Sequence, residues 1–298
     1  MPFEQEKAVT IGFFVANTAR DANLNLKDML EQYAAKDNQN GPVHPDGRFS
    51  YELRDLSVRG GSVQGVFAKF RSDQIPHIGQ AGGREREIRI AENEGLLEKN
   101  HFIYRPSDQL LVFEQNGHGS RPARLARYVT EQAGETLNFD PVLQSDAVER
   151  LMRGQAEMRA MRVSFARPTN PDHFPDDEWT RDLMKQMAIA GGSTVALSIT
   201  SDSRSDNEER SKLSARMKNA VTALMRSGYA RTVRVRVEED GIEHPIDLMA
   251  DRITSVQSVT MAGKYPVRGS IYAALNSAFE EQRDAIYAVI GPPEKRNN

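Results

Sequence analysis

Short apolar runs rich in β-branched and aromatic residues recur along this chain, each bounded by turn-forming residues. The first is residues 8–15, with the sequence Ala-Val-Thr-Ile-Gly-Phe-Phe-Val. A run of this length and composition predicts a buried strand, because its side chains pack well on a pleated sheet. Segments with helical spacing of apolar residues lie between the runs, as in Leu26, Leu30 and Tyr33. The alternation of the two patterns predicts an α/β (α+β) fold.

At 298 residues the chain is long enough for two units, and the pattern divides it into two small mixed-sheet halves. In the first half, residues 1–142, the predicted order is strand, helix, strand, strand, inserted hairpin, helix, strand. The two central strands, 49–58 and 63–70, flank Gly60-Gly61, which supplies the positive φ angles of a tight hairpin. Without the inserted hairpin at residues 102–113, this is the βαββαβ order of a ferredoxin-like domain.

The second half is predicted to be another mixed sheet with helices. Residues 143–157 predict a connecting helix, and residues 158–290 predict a second α+β domain. Residues 291–298 contain two prolines followed by polar residues, so we expect a flexible tail.

Composition excludes several kinds of site. The sequence has no cysteine, so it can form neither a disulfide nor a thiolate-ligated metal centre. Residues 1–7 are polar and acidic, unlike the basic start of a signal peptide. No stretch approaches the roughly 18 apolar residues of a membrane span. We therefore expect a cytoplasmic protein without a membrane partner.

The charge balance leaves two interpretations of the basic residues open. The formal net charge is −3, which argues against a surface wholly devoted to nucleic acid. The 39 basic residues nevertheless comprise 29 arginines and only 10 lysines. The planar guanidinium group of arginine donates paired hydrogen bonds that match phosphate and carboxylate groups. A GC-rich genome would produce the same bias without any such partner.

No catalytic signature is present in the sequence. The glycine pairs at 60–61, 82–83 and 191–192 fit neither of the phosphate-binding patterns G-x-x-x-x-G-K-S/T and G-x-G-x-x-G. None of the six histidines has the i, i+4 spacing of a helical metal pair. These absences favour a non-enzymatic protein, which needs no cofactor.

The densest group of carboxylates follows Pro171. Asp172, Asp176 and Asp177 lie close to His173 in the sequence, and hard cations such as Mg²⁺ prefer oxygen ligands of this kind. A metal-dependent nuclease is one hypothesis for this cluster. Helix capping is the other, since an aspartate after a proline is a good N-cap and acidic residues in a first turn complement the helix dipole.

A first group of basic residues is predicted at the start of a helix. Ser120 is the predicted N-cap, and Pro122 suits the first turn. Three arginines lie at i, i+3 and i+6, namely Arg121, Arg124 and Arg127. Together with the serine and the free amides of the helix start, they are candidates for holding a phosphate or a nucleic acid.

A second basic group is predicted on one face of a strand. Arg234 and Arg236 alternate with valines, so both guanidinium groups project to the same side. The open sheet face of a ferredoxin-like domain often binds RNA, usually with aromatic stacking, but no aromatic residue interleaves with these arginines. For both groups the alternative is an ordinary solvated surface with salt bridges.

A hydrophobic pattern runs through residues 87–104, 110–116 and 125–128, and includes Glu87-Ile88-Arg89-Ile90 and His101-Phe102-Ile103-Tyr104. This pattern resembles that of uncharacterised bacterial proteins carried by prophages and defence islands. The resemblance implies a setting of phage–host conflict. It implies no activity and no site residue.

Three hypotheses of function follow. The first is a non-enzymatic binding protein that recognises nucleic acid or a partner protein in bacterial anti-phage defence or in a mobile element. The second is the metal-dependent nuclease, which would use Mg²⁺ at the acidic cluster. The third is a self-assembling scaffold, because exposed strand edges pair between subunits and homo-oligomers are common.

Overall fold

The computed structural model of the chain contains fifteen strands and five α-helices among the residues that it describes. These residues are 5–18, 24–72, 75–92, 94–144, 151, 157–166, 177–192, 194–202, 211–226, 230–239, 242–248 and 252–293. The strands are β1 (Gln5–Thr18), β2 (His44–Asp46), β3 (Phe49–Arg59), β4 (Ser62–Arg71), β5 (Ile78–Gly79), β6 (Glu85–Arg86), β7 (Leu96–Arg105), β8 (Leu110–Gln115), β9 (Leu137–Pro141), β10 (Glu157–Ala166), β11 (Thr194–Thr200), β12 (Ala230–Glu239), β13 (Ile242–Asp247), β14 (Thr254–Ala262) and β15 (Tyr265–Pro266). The helices are α1 (Leu26–Ala34), α2 (Pro122–Ala133), α3 (Glu178–Ala190), α4 (Ala215–Arg226) and α5 (Arg268–Ile290).

Nine of the strands form one antiparallel sheet. Eight of them lie in the order β15-β14-β1-β8-β7-β4-β3-β2, and β9 pairs with β1. Because β1 is 14 residues long, its two halves pair with different strands along one edge. Gly12 lies opposite Thr254 of β14, and Phe14 lies opposite Pro141 of β9. Antiparallel sheets with helices packed on them confirm the predicted α+β class.

The centre of this sheet has the strand order of a βαββαβ unit, with the two predicted hairpins exchanged. β9, β1, β8 and β7 are neighbours in that order, α1 follows β1, and α2 connects β8 to β9. The sequence predicts residues 49–70 as the central hairpin and residues 102–113 as the insertion. In the structure the hairpin of β7 and β8 lies beside β1, and the hairpin of β3 and β4 extends the sheet beyond β7. The physical reason is burial, because β8 is almost wholly buried whereas β3 is half-buried along much of its length.

The large sheet is completed by residues near the end of the chain, across the boundary predicted at residue 142. The sequence groups residues 158–290 as one unit after 1–142, but β14 pairs with β1 and α5 packs against β14. The residues of the second sheet are therefore inserted between β9 and β14. Most of the predicted connecting helix, 143–157, lies outside the described residues, as does the tail after residue 293.

Helices cover both faces of the large sheet. α1 and α2 pack on one face, around Phe102 and Phe113. α5 packs on the other face, where its apolar residues meet Phe13 and Val112. The division follows from the strand period of two, since neighbours such as Phe13 and Phe14 point to opposite faces. None of the helices in the described ranges has the length and hydropathy needed to cross a membrane.

The second sheet has four antiparallel strands in the order β11-β10-β12-β13. α3 and α4 pack on one of its faces, where Met187 of α3 and Val221 of α4 join the valines of β12. Side chains on the other face are exposed or half-buried in the described part of the chain. The second sheet therefore presents one open surface, which the large sheet does not.

Candidate nucleic-acid interface

The open face of the second sheet holds both arginines that the sequence places on one side of a strand. Val233, Val235 and Val237 of β12 are buried against the helices. The side chains of Arg234 and Arg236, which lie between them, are 64% and 43% exposed. The Cα atoms of two such residues are about 7 Å apart along a strand. The two guanidinium groups therefore share one accessible surface.

A third arginine, which the sequence-based prediction missed, lies beside them. Arg162 of β10 is exposed and stands directly opposite Arg234 in the antiparallel register. Opposed residues of antiparallel strands are about 5 Å apart, and like charges in such a pair repel. The sequence did contain a signal, because Arg162 lies between the buried Met161 and Val163 with the same alternation as in β12. We call Arg162, Arg234 and Arg236 the arginine face.

Two of these three arginines have carboxylate partners on β13. Arg234 Nε donates to Asp247 Oδ2 at 2.6 Å, and Arg236 Nη1 donates to Glu243 Oε2 at 3.2 Å. Arg162 has no hydrogen bond or ion pair to any residue that the structure describes. Exposed ion pairs contribute about 0–1 kcal/mol. A phosphate that approaches the arginine face can therefore replace either carboxylate at small cost.

Small side chains border the arginine face on β10 and β11, and carboxylates border it on β12 and β13. The small residues are Ala160, Ser164, Ala196, Ser198, Thr200 and, on β12, Thr232. Glu238 follows Arg236 on the same face of β12, and Glu243 and Asp247 lie on β13. No aromatic ring projects from this face in the described residues. Guanidinium groups bind phosphate oxygens, and aromatic rings, which are the usual platform for base stacking, do not project from the described part of this face. The arrangement suits a ligand that is recognised by its charge.

The residues of the predicted basic cluster at the start of α2 have two different environments in the structure. Arg124 forms an ion pair with Asp46 and lies over the Tyr51 ring, 5.0 Å from its centroid. Arg127 donates to Glu131 at 2.7 Å and also contacts Asp46 at 3.5 Å. Both arginines are thus engaged with carboxylates beside β2. Their contacts support the salt-bridge alternative.

Ser120 and Arg121 lie apart from those ion pairs. α2 begins at Pro122, and its N-cap is Arg121, one residue later than predicted. Ser120 N donates to Asn100 Oδ1 at 2.6 Å, which ties Ser120 to β7. Ser120 and Arg121 line the same cavity at the start of α2.

Helix capping accounts for one residue of the acidic cluster. Asp177 is the N-cap of α3, and its carboxylate accepts hydrogen bonds from Thr180 N at 2.9 Å and from Thr180 Oγ1 at 2.5 Å. Asp172 and Asp176 lie outside the described residues. Within the described part of the chain, no three histidine, aspartate or glutamate side chains come close enough together to hold a metal ion. The contacts of Asp177 support the capping interpretation.

The structure also pairs a histidine with a carboxylate, which the sequence could not do. His101 Nδ1 lies 2.7 Å from Glu114 Oε2, and the same oxygen accepts a hydrogen bond from His101 N at 2.9 Å. Both side chains are nearly buried, and the His101 ring meets that of Tyr272 on α5. The backbone pairing of β7 with β8 ends at Phe102 and Phe113. The Glu114 carboxylate therefore provides the next acceptor of this ladder, a structural role.

Comparison with known proteins assigns a family without assigning a function. No curated protein sequence matches the chain. A family model described as a family of unknown function, DUF6731, matches residues 64–286. The match begins in β4 and ends in α5, so it includes the arginine face and the start of α2. Because it covers most of the 298 residues, this chain belongs to the DUF6731 family.

Proposed function

We propose that this chain is a non-enzymatic, cytoplasmic binding protein that holds single-stranded nucleic acid on the arginine face. The observation behind the proposal is the cross-strand group of Arg162, Arg234 and Arg236 on a sheet face that no described helix covers. Guanidinium groups fit phosphate oxygens, and open sheet faces bind single strands in other nucleic-acid-binding domains, usually with aromatic stacking that this face lacks. Since the surface offers no stacking platform, binding is expected to be independent of base sequence.

The wider setting that we propose is bacterial anti-phage defence or a mobile element. It rests on the resemblance of the hydrophobic pattern in residues 87–128 alone. We propose binding without catalysis because Asp177 of the acidic cluster is engaged in capping α3. A magnesium-dependent nuclease at that cluster stays a hypothesis that would depend on Asp172 and Asp176.

Affinity for a fluorescent oligouridylate should fall steeply as salt is added. Each phosphate contact releases counterions from the nucleic acid. Three contacts to a single strand therefore predict that a plot of the logarithm of the binding constant against the logarithm of the salt concentration has a slope of about −2. Fluorescence anisotropy over a series of salt concentrations measures this slope. An oligodeoxythymidylate should behave alike, because the arginines contact phosphates. A slope near zero would contradict the proposal.

Substituting Arg162 by glutamine makes the test specific to the arginine face. Loss of one charged hydrogen bond should weaken binding about tenfold and reduce the size of the slope by about 0.7. Lys185→Gln is the matched control, since it removes an exposed charge from α3 on the other face of the same sheet. Equal effects of the two substitutions would show that net charge alone governs binding. Absence of oligonucleotide binding, with a stoichiometric protein partner recovered instead, would favour the partner-protein alternative.

A second candidate function, self-assembly, is favoured by the edge of the same sheet. Among the described residues, β11 pairs with β10 only. β11 contains no charged residue and no proline, the residues that usually protect an edge strand from pairing with another chain. Its Val195, Leu197 and Ile199 are only half-buried against the core. A second copy that pairs antiparallel along β11 would bury them further.

This edge predicts a dimer with twice the chain mass of 33.4 kDa. Ala196→Lys should return a monomer, because a two-fold axis brings the added charge of each copy close to that of the other. Ala196 is exposed, so the substitution leaves the core unchanged. Light scattering measures both masses. A parent chain that stays monomeric at every concentration would remove this candidate.

A further inference from the structure

The cavity at the start of α2 has the size of a small-molecule site. Its volume is about 360 Å³, within the range of pockets that hold small ligands. It lies between the large sheet and Ala230, the first residue of β12. No residue of the arginine face lines it. The cavity is therefore distinct from the proposed nucleic-acid surface.

Two arginines from distant parts of the chain meet at this cavity. Arg121 precedes α2 and is exposed, whereas Arg252 lies just before β14, where it forms a β-bridge with Leu143. Burial, and secondly the positive charge of Arg121, lower the pKa of Arg252 to about 10. The two guanidinium groups therefore repel each other. An anion held between them would relieve that repulsion.

Uncharged donors line the same space. No side chain caps the N-terminus of α2. Pro122 has no N–H group, and Arg124 N donates to Arg121 O at 2.9 Å. Ala123 therefore supplies the first-turn N–H group that is open to an anion. Ser120 also lines the cavity, is only 9% exposed, and has a hydroxyl oxygen without a hydrogen-bond partner among the described residues. Buried polar atoms usually have such a partner. The unsatisfied hydroxyl is a second, independent sign of a ligand at this helix start.

Part of the cavity wall is aromatic. Phe14, Phe113 and Phe139 line it, and the rings of Phe14 and Phe113 pack edge to face with centroids 6.5 Å apart. Aromatic walls favour flat apolar groups. The wall therefore predicts a ligand with an apolar body attached to its anionic end.

We propose that this cavity binds a small phosphate monoester whose body is aromatic or otherwise flat and apolar. A phosphate fits better than a carboxylate, because its three free oxygens can engage Arg121, Arg252, Ser120 and the helix start together. The same chemical group occurs on free small molecules and at the 5′ end of a nucleic acid strand.

Isothermal titration of the full chain with phenyl phosphate tests the proposal. We expect saturable binding at least tenfold tighter than that of inorganic phosphate, which has no body to contact the phenylalanines. Arg121→Gln should weaken phenyl phosphate binding at least tenfold, and because Arg121 is exposed the variant should keep its fold. Arg283→Gln is the matched control, an exposed arginine on α5 at the other face of the large sheet. It should leave the affinity unchanged.

Three results would overturn the proposal. They are the absence of saturable phenyl phosphate binding, an equal affinity for inorganic phosphate, and equal weakening by Arg121→Gln and Arg283→Gln. Competition by oligouridylates then separates the two sources of the ligand, both of which support the site. Competition by a 5′-phosphorylated strand, but not by its 5′-hydroxyl form, assigns the group to a strand end. Competition by neither assigns it to a free small molecule.

Discussion

Alanine in place of Gly119 is expected to lower the free energy of unfolding by about 3 kcal/mol. A Cβ atom at this position would lie 2.2 Å from Asn100 Oδ1. Asn100 is fully buried, its Oδ1 accepts from Ser120 N at 2.6 Å, and its Nδ2 donates to Glu114 O at 3.0 Å. Displacing the amide would leave two buried backbone groups unsatisfied, at about 1–3 kcal/mol each. Urea denaturation followed by circular dichroism measures the loss.

Gly117→Ala is the matched control for this substitution. Gly117 lies in the same loop, and a Cβ there would meet nothing within 4 Å. We expect a change below about 0.5 kcal/mol. Adding Asn100→Ala to Gly119→Ala should cost less than the sum of the two single changes, because both disturb one contact. Full additivity would show that the two residues do not interact.

Leucine in place of Glu114 is expected to cost about 2–4 kcal/mol, a loss comparable to that of Gly119→Ala. The Glu114 carboxylate is the acceptor for His101 N at 2.9 Å and lies 2.7 Å from His101 Nδ1. A leucine side chain accepts no hydrogen bond. The buried backbone N–H of His101 would be left without its partner at the end of the β7–β8 ladder. The same urea titration measures this loss.

Glutamine at position 114 separates the hydrogen bonds from the charge. Its side-chain oxygen can still accept from His101 N, so we expect a loss of about 1 kcal/mol or less. Equal losses for leucine and glutamine would show that the negative charge, and not the hydrogen bonds, stabilises this end of the ladder. That result would contradict the role inferred for Glu114.

Features that depend on neighbouring residues were predictable from the sequence. Gly60 and Gly61 adopt the positive φ angles of the predicted hairpin, 55° and 76°. The alternation of valine and arginine in β12 exposes Arg234 and Arg236 on one face, as expected. Such signals depend on one strand or one turn, whose geometry follows from the local backbone.

Pairings between distant segments were not predictable. The hairpins at 49–70 and 102–113 have similar apolar patterns, and nothing local says which of them lies beside β1. Arg252 was missed for a related reason, since it reaches Arg121 only because β14 joins the large sheet. Arg162 is a different case, because its alternation resembles that of β12 and a comparison of the two strands would have found it.

The closure of the large sheet by β14 affects how the chain can fold during synthesis. β1 leaves the ribosome long before β14, so Gly12 cannot pair with Thr254 until most of the chain has been synthesised. At ~5–20 residues per second, this part of the β1 edge lacks its partner for roughly 10–50 s. An unpaired edge is a template for association with other chains. Premature termination before β14 would make that exposure permanent, and translation speed over the inserted sheet therefore bears on the yield of native protein.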